Sequence, residues 1–138
     1  MDKPLLLLGL MRKANAVAIG ETDTGAAAKS GRAVLICLAA DASPNAQKRA
    51  ETFAHARAVP ITRLPYEKQT ISDLVGKAGC SMLAVTDIGF AAAFAAALAD
   101  EDTASDRTLA NALKAQQQSR RKGSGGKGAG IGKRRTIE

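Results

Sequence analysis

Val34-Leu35-Ile36-Cys37-Leu38-Ala39-Ala40-Asp41-Ala42-Ser43-Pro44 and Met82-Leu83-Ala84-Val85-Thr86-Asp87-Ile88-Gly89-Phe90 are the two stretches whose reading decides the fold. Each is an apolar run that passes through small residues to an aspartate. A run without polar alternation reads as a strand covered on both faces, and Ser or Asp at its end suits a helix N-terminus. Open α/β sheets bind their ligands beyond the carboxyl ends of strands, where helix starts expose free N–H groups. The two stretches therefore predict a small α/β binding module, and little in them points to an enzyme.

The flanking sequence alternates in the same way. Leu5–Lys13 has a helical pattern, and Ala16–Ile19 is a short strand ending at Gly20. Glu21–Ser30 follows as a helix with acids in its first turn, closed by Gly31. After the central strand Val34–Leu38, Ser43 caps a helix with Pro44 at its first position. That helix runs to about Ala58, with Ala50, Phe53, Ala54 and Ala58 on its inner face. Pro60 breaks the chain before the strand Ile61–Leu64. Thr70-Ile71-Ser72-Asp73 then reads as the capped start of a short helix ending near Lys77–Gly79. Met82–Thr86 is the last strand, and Asp87 to about Ala99 a helix with Phe90, Phe94 and Leu98 on one stripe. Ser105–Gln118 extends as a further helix with Leu109 and Leu113 on one side. The expectation is one three-layer αβα sandwich around a four-stranded mixed sheet over residues 1–102, with a helical extension and tail over residues 103–138.

A chain of 138 residues suffices for one domain with a real core. Cys37 and Cys80 read as packed, reduced thiols. With His55 the only histidine, no metal-ligand spacing is present, so neither a metal nor a cofactor is expected. The apolar segment Leu5–Met11 is short and precedes Arg12-Lys13, the reverse of a signal peptide. No stretch approaches the roughly 20 apolar residues that span a bilayer. A cytoplasmic protein with no membrane partner and no small-molecule substrate is the reading.

The net charge of +7 lies entirely in the C-terminal part. Residues 1–102 balance their acids and bases. Beyond them come Arg107, Lys114, Arg120, Arg121, Lys122, Lys127, Lys133, Arg134 and Arg135, opposed only by Asp106 and Glu138. From Ser119 onward this Gly/Ser-rich, aromatic-free segment has too little apolar surface to fold alone and is expected to be disordered. Such tails grip polyanions, and Arg120, Arg121 and Lys122 are candidates to touch nucleic-acid phosphate. Gly123-Ser124-Gly125-Gly126-Lys127-Gly128 matches a dinucleotide-binding pattern by letter only, since no strand precedes it and no helix opens after it.

Four pieces in order carry a family resemblance. They are Leu8-Gly9-Leu10-Met11-Arg12-Lys13-Ala14, Gly20 with the helix ending Lys29-Ser30-Gly31-Arg32-Ala33, Leu38 to Pro44, and Leu83 to Ala91. Over residues 5 to about 99 the chain resembles the bacterial branch of the ribosomal protein L-seven-Ae family, the kink-turn RNA-binding superfamily. The resemblance implies a non-catalytic αβα domain that docks on sharply bent, structured RNA such as ribosomal RNA. It implies that the loop and helix start after the first strand, typically Gly-x-Asn-Glu, read the edges of sheared G·A pairs. That motif stands here as Gly20-Glu21-Thr22-Asp23, with Ala26 where a Lys is common. It also implies a second contact loop before the last strand, which maps to Lys77-Ala78-Gly79-Cys80-Ser81.

Other residues have simpler readings beside their functional ones. Asp41 and Asp87 are read as helix caps rather than as a magnesium pair. Arg12 and Lys13 either contact phosphate or complement the dipole of the first helix. Lys48, Arg49 and Arg57 read as a solvated helix face. With a single tyrosine and no tryptophan, the domain lacks the rings on which single-stranded RNA stacks, which favours a reader of RNA shape. The rival expectation is a protein-interaction module of the same fold, with the tail on an acidic partner.

Overall fold

The computed structural model describes residues 2–101 and 108–125. In chain order its elements are α1 (Lys3–Lys13), β1 (Val17–Ile19), α2 (Glu21–Lys29), β2 (Leu35–Leu38), α3 (Pro44–Ala56), β3 (Ile61–Arg63), α4 (Lys68–Val75), β4 (Met82–Val85), α5 (Ile88–Glu101) and α6 (Thr108–Gly125). The strands form one mixed sheet in the order β1-β4-β2-β3. β4 runs antiparallel to both β1 and β2, while β3 lies parallel to β2.

Burial explains why β2 and β4 are continuous apolar runs. Both are interior strands, and every residue of each is buried. Leu35, Cys37, Leu83 and Val85 pack with Leu8 and Met11 of α1, Ile71 and Val75 of α4, Phe94 of α5 and Leu113 of α6. Ile36, Leu38, Met82 and Ala84 face the other way, onto Ala27 and Ala28 of α2 and Ala46, Ala50 and Ala54 of α3. The three-layer αβα sandwich is thus the observed architecture. Burying each large side chain of these layers contributes about 1.5–3 kcal/mol. The α2–α3 contact depends on small residues: a Cβ on Gly25 would stand 2.9 Å from Cζ of Phe53.

Both aspartates at the strand exits are caps, but not of the same kind. Asp87 Oδ1 accepts from Phe90 N at 2.9 Å, at the start of the helix that follows it. The cap of α3 is Ser43, whose Oγ accepts from Ala46 N at 3.1 Å. Asp41 instead reaches the exit of the neighbouring parallel strand β3, and its Oδ1 accepts from Lys68 N at 2.8 Å, where α4 begins.

Several boundaries differ from the sequence expectation, and those of α3, α4 and α6 have consequences. α4 starts at Lys68, so Thr70-Ile71-Ser72-Asp73 lies inside the helix, because its cap is supplied by Asp41. It also stops at Val75, where Gly76 adopts φ +72°. α3 ends at Ala56, and Ala58 is exposed at φ +54° rather than on the inner face. α6 continues past Gln118 to Gly125, so the backbone of Ser119–Gly125 is helical where disorder was expected. The remainder of the tail, residues 126–138, and the link at residues 102–107 lie outside the described residues. Among the described residues no helix is long and apolar enough to cross a membrane.

Candidate functional site

β1 is an edge strand with a single neighbour. Gly20 N donates to Met82 O at 3.0 Å and Thr86 N donates to Ala16 O at 2.8 Å. With the register Ala18↔Ala84 between them, alternation in an antiparallel ladder turns the N–H and C=O of Val17 and Ile19 away from β4, toward the open edge. Lys77 takes one of these groups, since its Nζ donates to Ile19 O at 2.9 Å. The same Nζ lies 3.7 Å from Asp23 Oδ2.

Gly20 joins the edge strand to α2. Its φ of +93° favours glycine, and a Cβ there would meet Lys77 Nζ at 3.2 Å. As N-cap of α2 it has no side chain to bond the first-turn N–H groups, which leaves those donors open.

The loop bearing Lys77 is anchored below. Ser72 Oγ accepts from Cys80 N at 3.0 Å, inside the core. Burial pushes the Cys80 thiol up, against hydrogen bonding with the Gly20 and Met82 backbones and the nearby Lys77 charge. Arg12 Nε donates to Val75 O and ties the end of α1 to the end of α4.

These elements enclose a cleft of about 470 Å³, floored by Val17, Ala18 and Ile19 and walled by Arg12, Asn15, Asp23, Arg32 and Lys77. Among the described residues the ion pairs are Lys77–Asp23 and Arg49–Glu21. Arg12 and Arg32 therefore line the cleft without a carboxylate partner, and its charge balance is cationic. Among the described residues no cluster of three or more His, Cys, Asp or Glu is placed to hold a metal ion.

The structure brings Arg12, Asp23 and Lys77 into one cleft and sets Gly20 beside Lys77. Thr22 is exposed at the start of α2, and Ala78 and Gly79 are exposed in the loop after Lys77. Glu21 turns to Arg49 of α3 and lies outside the cleft. Lys13 is exposed but is not among the lining residues. Arg120, Arg121 and Lys122 fall on α6, with side chains outside the description. Asn15 and Arg32 are lining residues that the sequence reading missed. The available signal for Arg32 was its place directly after Gly31, whose φ of +79° turns the chain back toward the sheet.

Comparison with known proteins bears on this arrangement. Residues 5–95 match the family model of the ribosomal protein L7Ae/L30e/S12e/Gadd45 family. Among solved structures, a protein of unknown function from Bacillus halodurans is similar at 26% identity and a TM-score of 0.65, covering 71% of this chain and 98% of that one. The Giardia lamblia 15.5 kD RNA-binding protein is similar at 14% identity and a TM-score of 0.52, covering 80% and 84% respectively. At that identity the second likeness is one of fold. No curated protein sequence matches the chain.

Proposed function

The chain belongs to this L7Ae family, and from that membership we propose that it is a non-catalytic RNA-binding protein. Its ligand is bent, structured RNA of kink-turn type, with ribosomal RNA the leading source. The fold likeness to an RNA-binding protein supports the same reading.

The observation that carries the proposal is the meeting of Gly20 and Lys77. Two segments far apart in sequence, the start of α2 and the α4–β4 loop, face one another across the end of β1. Between them they offer the open N–H groups of a helix start, the hydroxyl of Thr22, the Asp23 carboxylate and a lysine. This is a set of donors and acceptors beside the cations Arg12 and Arg32. Base edges are read by such paired groups, while cations hold the backbone. Thr22 has one hydroxyl for hydrogen bonding, and Asp23 presents only acceptors when ionised. Recognition in this chain therefore leans on backbone N–H groups and on Lys77. The basic tail adds phosphate contacts without sequence preference.

The test is a titration of labelled stem RNAs, one with an asymmetric bulge flanked by tandem G·A pairs and one fully paired. The bulged stem is expected to bind more tightly, and the double change Thr22→Ala/Lys77→Gln to remove most of the difference. Equal affinity of the unmodified protein for both stems would overturn shape recognition.

A further inference from the structure

The lining of the cleft comes from both helical layers. Arg12, Val75 and Lys77 belong to α1, α4 and the loop after it, whereas Asp23, Ala26 and Arg32 belong to α2 and the turn beyond. Between the layers lies β1, half-buried along its length. Its Val17 and Ile19 side chains pack toward the first layer and Ala18 toward the second. Layers that part in this way beside an edge strand leave the place of a fifth strand, about 4.8 Å from β1. The bonding groups for one are present, since the N–H and C=O of Val17 and Ile19 turn outward. Lys77 covers only the Ile19 carbonyl. Among the described residues, nothing outside the sheet bonds the Val17 N–H, the Val17 C=O or the Ile19 N–H.

The walls select the charge of the guest. Arg12 spends Nε on the Val75 carbonyl, and a Cβ on Gly76 would stand 3.5 Å from its Nη2. Arg32 spends Nε on Ser30 Oγ at 3.0 Å. Neither guanidinium has an ion pair among the described residues, so their Nη groups keep donors for carboxylates. Successive side chains of a strand point to opposite faces. In this slot, adjacent acids would meet Arg12 in one layer and Arg32 in the other. The geometry points to strand addition: an acidic, extended segment of another protein pairs antiparallel with β1 and sets neighbouring carboxylates on Arg12 and Arg32.

The antiparallel sense follows from Val17. With the Ile19 carbonyl taken by Lys77, only Val17 offers both its groups, and an antiparallel pair exchanges both bonds with a single residue. A phosphate chain would satisfy the arginines, but its oxygens only accept and leave the Val17 carbonyl without a donor. A peptide brings donor and acceptor together. Strand addition stands independently of the RNA reading.

The probe is a labelled, end-blocked hexapeptide, Thr-Glu-Glu-Val-Glu-Thr, with Thr-Gln-Gln-Val-Gln-Thr as its neutral control. Binding to the full chain is followed by fluorescence anisotropy and by amide exchange. The acidic peptide should bind and slow exchange at Val17 and Ile19, and the neutral one should bind more weakly. Two further forms of the acidic peptide carry N-methyl groups on alternate amides. One set removes the N–H groups turned to β1 and should weaken binding about fivefold for each bond lost. The other set faces away and should change little. Val17→Pro deletes the outward N–H without touching the ladder to β4, so it should weaken the acidic peptide. Arg32→Gln should remove most of the preference for the acidic peptide over the neutral one. Equal binding of the two methylated forms would reduce the contact to charge alone and overturn strand addition, whether or not Val17→Pro folds. Failure of the acidic peptide to slow exchange at Val17 would overturn it too, and binding of the bulged stem RNA by the same sample would leave the RNA reading standing. Peptide binding by a protein that ignores both stems would overturn the RNA reading and leave the added strand in place.

Discussion

Gly20 holds a backbone at φ +93° with Lys77 Nζ where a side chain would begin. Gly20 also has ψ 167°, a region open essentially to glycine alone, so Gly20→Ala should cost about 1–3 kcal/mol in backbone strain and displace the lysine as well. The expected outcome is a lower urea midpoint together with weaker binding of the bulged stem. Thr24, one helical turn on, is a contrasting case. It is fully buried, and its hydroxyl has no hydrogen-bond partner among the described residues. An unsatisfied buried hydroxyl costs about 1–3 kcal/mol, so Thr24→Val should raise the urea midpoint by relieving part of it. The two thiols set a pH response. Burial pushes both Cys37 and Cys80 up, so the folded chain keeps protons that the unfolded chain loses. This contribution is fully present below the ordinary thiol range near about pH 8.5 and is lost as pH rises above it. Unfolding at pH 10 should therefore need less urea than at pH 8, and Cys37→Ala/Cys80→Ala should flatten that difference.

At the scale of elements, α4 and its loop connect stability to binding. Ser72 satisfies the buried N–H of Cys80 from within α4, and the loop between them carries Lys77. Ser72→Ala leaves that donor orphaned, at a cost of about 1–3 kcal/mol. Amide exchange of residues 76–80 should quicken, and affinity for bulged RNA should fall with it. Sequence alone placed β2, β4 and the Ser43 cap well, because double-sided burial and local capping leave their marks in adjacent residues. It misplaced the start of α4 because the cap there comes from Asp41, at the exit of the neighbouring strand β2. No window around Lys68 contains that information. Ala58 was misread for a related reason: helical spacing continues through it, and Pro60 marks a stop without fixing at which residue before it the helix ends.

For the whole molecule, the charge asymmetry is the main lever. Ending the chain after Gln118 removes Arg120, Arg121, Lys122, Lys127, Lys133, Arg134 and Arg135. If these lie on RNA, the salt slope should flatten by several units while the preference for bulged over paired stems persists. A truncated protein that loses the preference but keeps the slope would reverse the assigned roles of domain and tail. Half of the candidate site was legible in the same global sense. Gly20, Asp23 and Lys77 stood out by motif and position, and Arg12 by its place at the end of an apolar helix. Asn15 and Arg32 did not, since only the bend of the chain around the free edge of β1 brings them together.

The sheet order has a further result for biosynthesis. β4 is the last strand to leave the ribosome, yet it is the one that bonds to both β1 and β2. Until Met82–Val85 emerges, β1 has no neighbour and the Gly20 amide no acceptor. A nascent chain halted before Met82 can zip β2 to β3 but cannot shut the fold, so its binding surface stays unassembled. Assembly of the cleft thus waits for most of the domain to be translated, and arrested chains ending before that strand should be cut readily by protease.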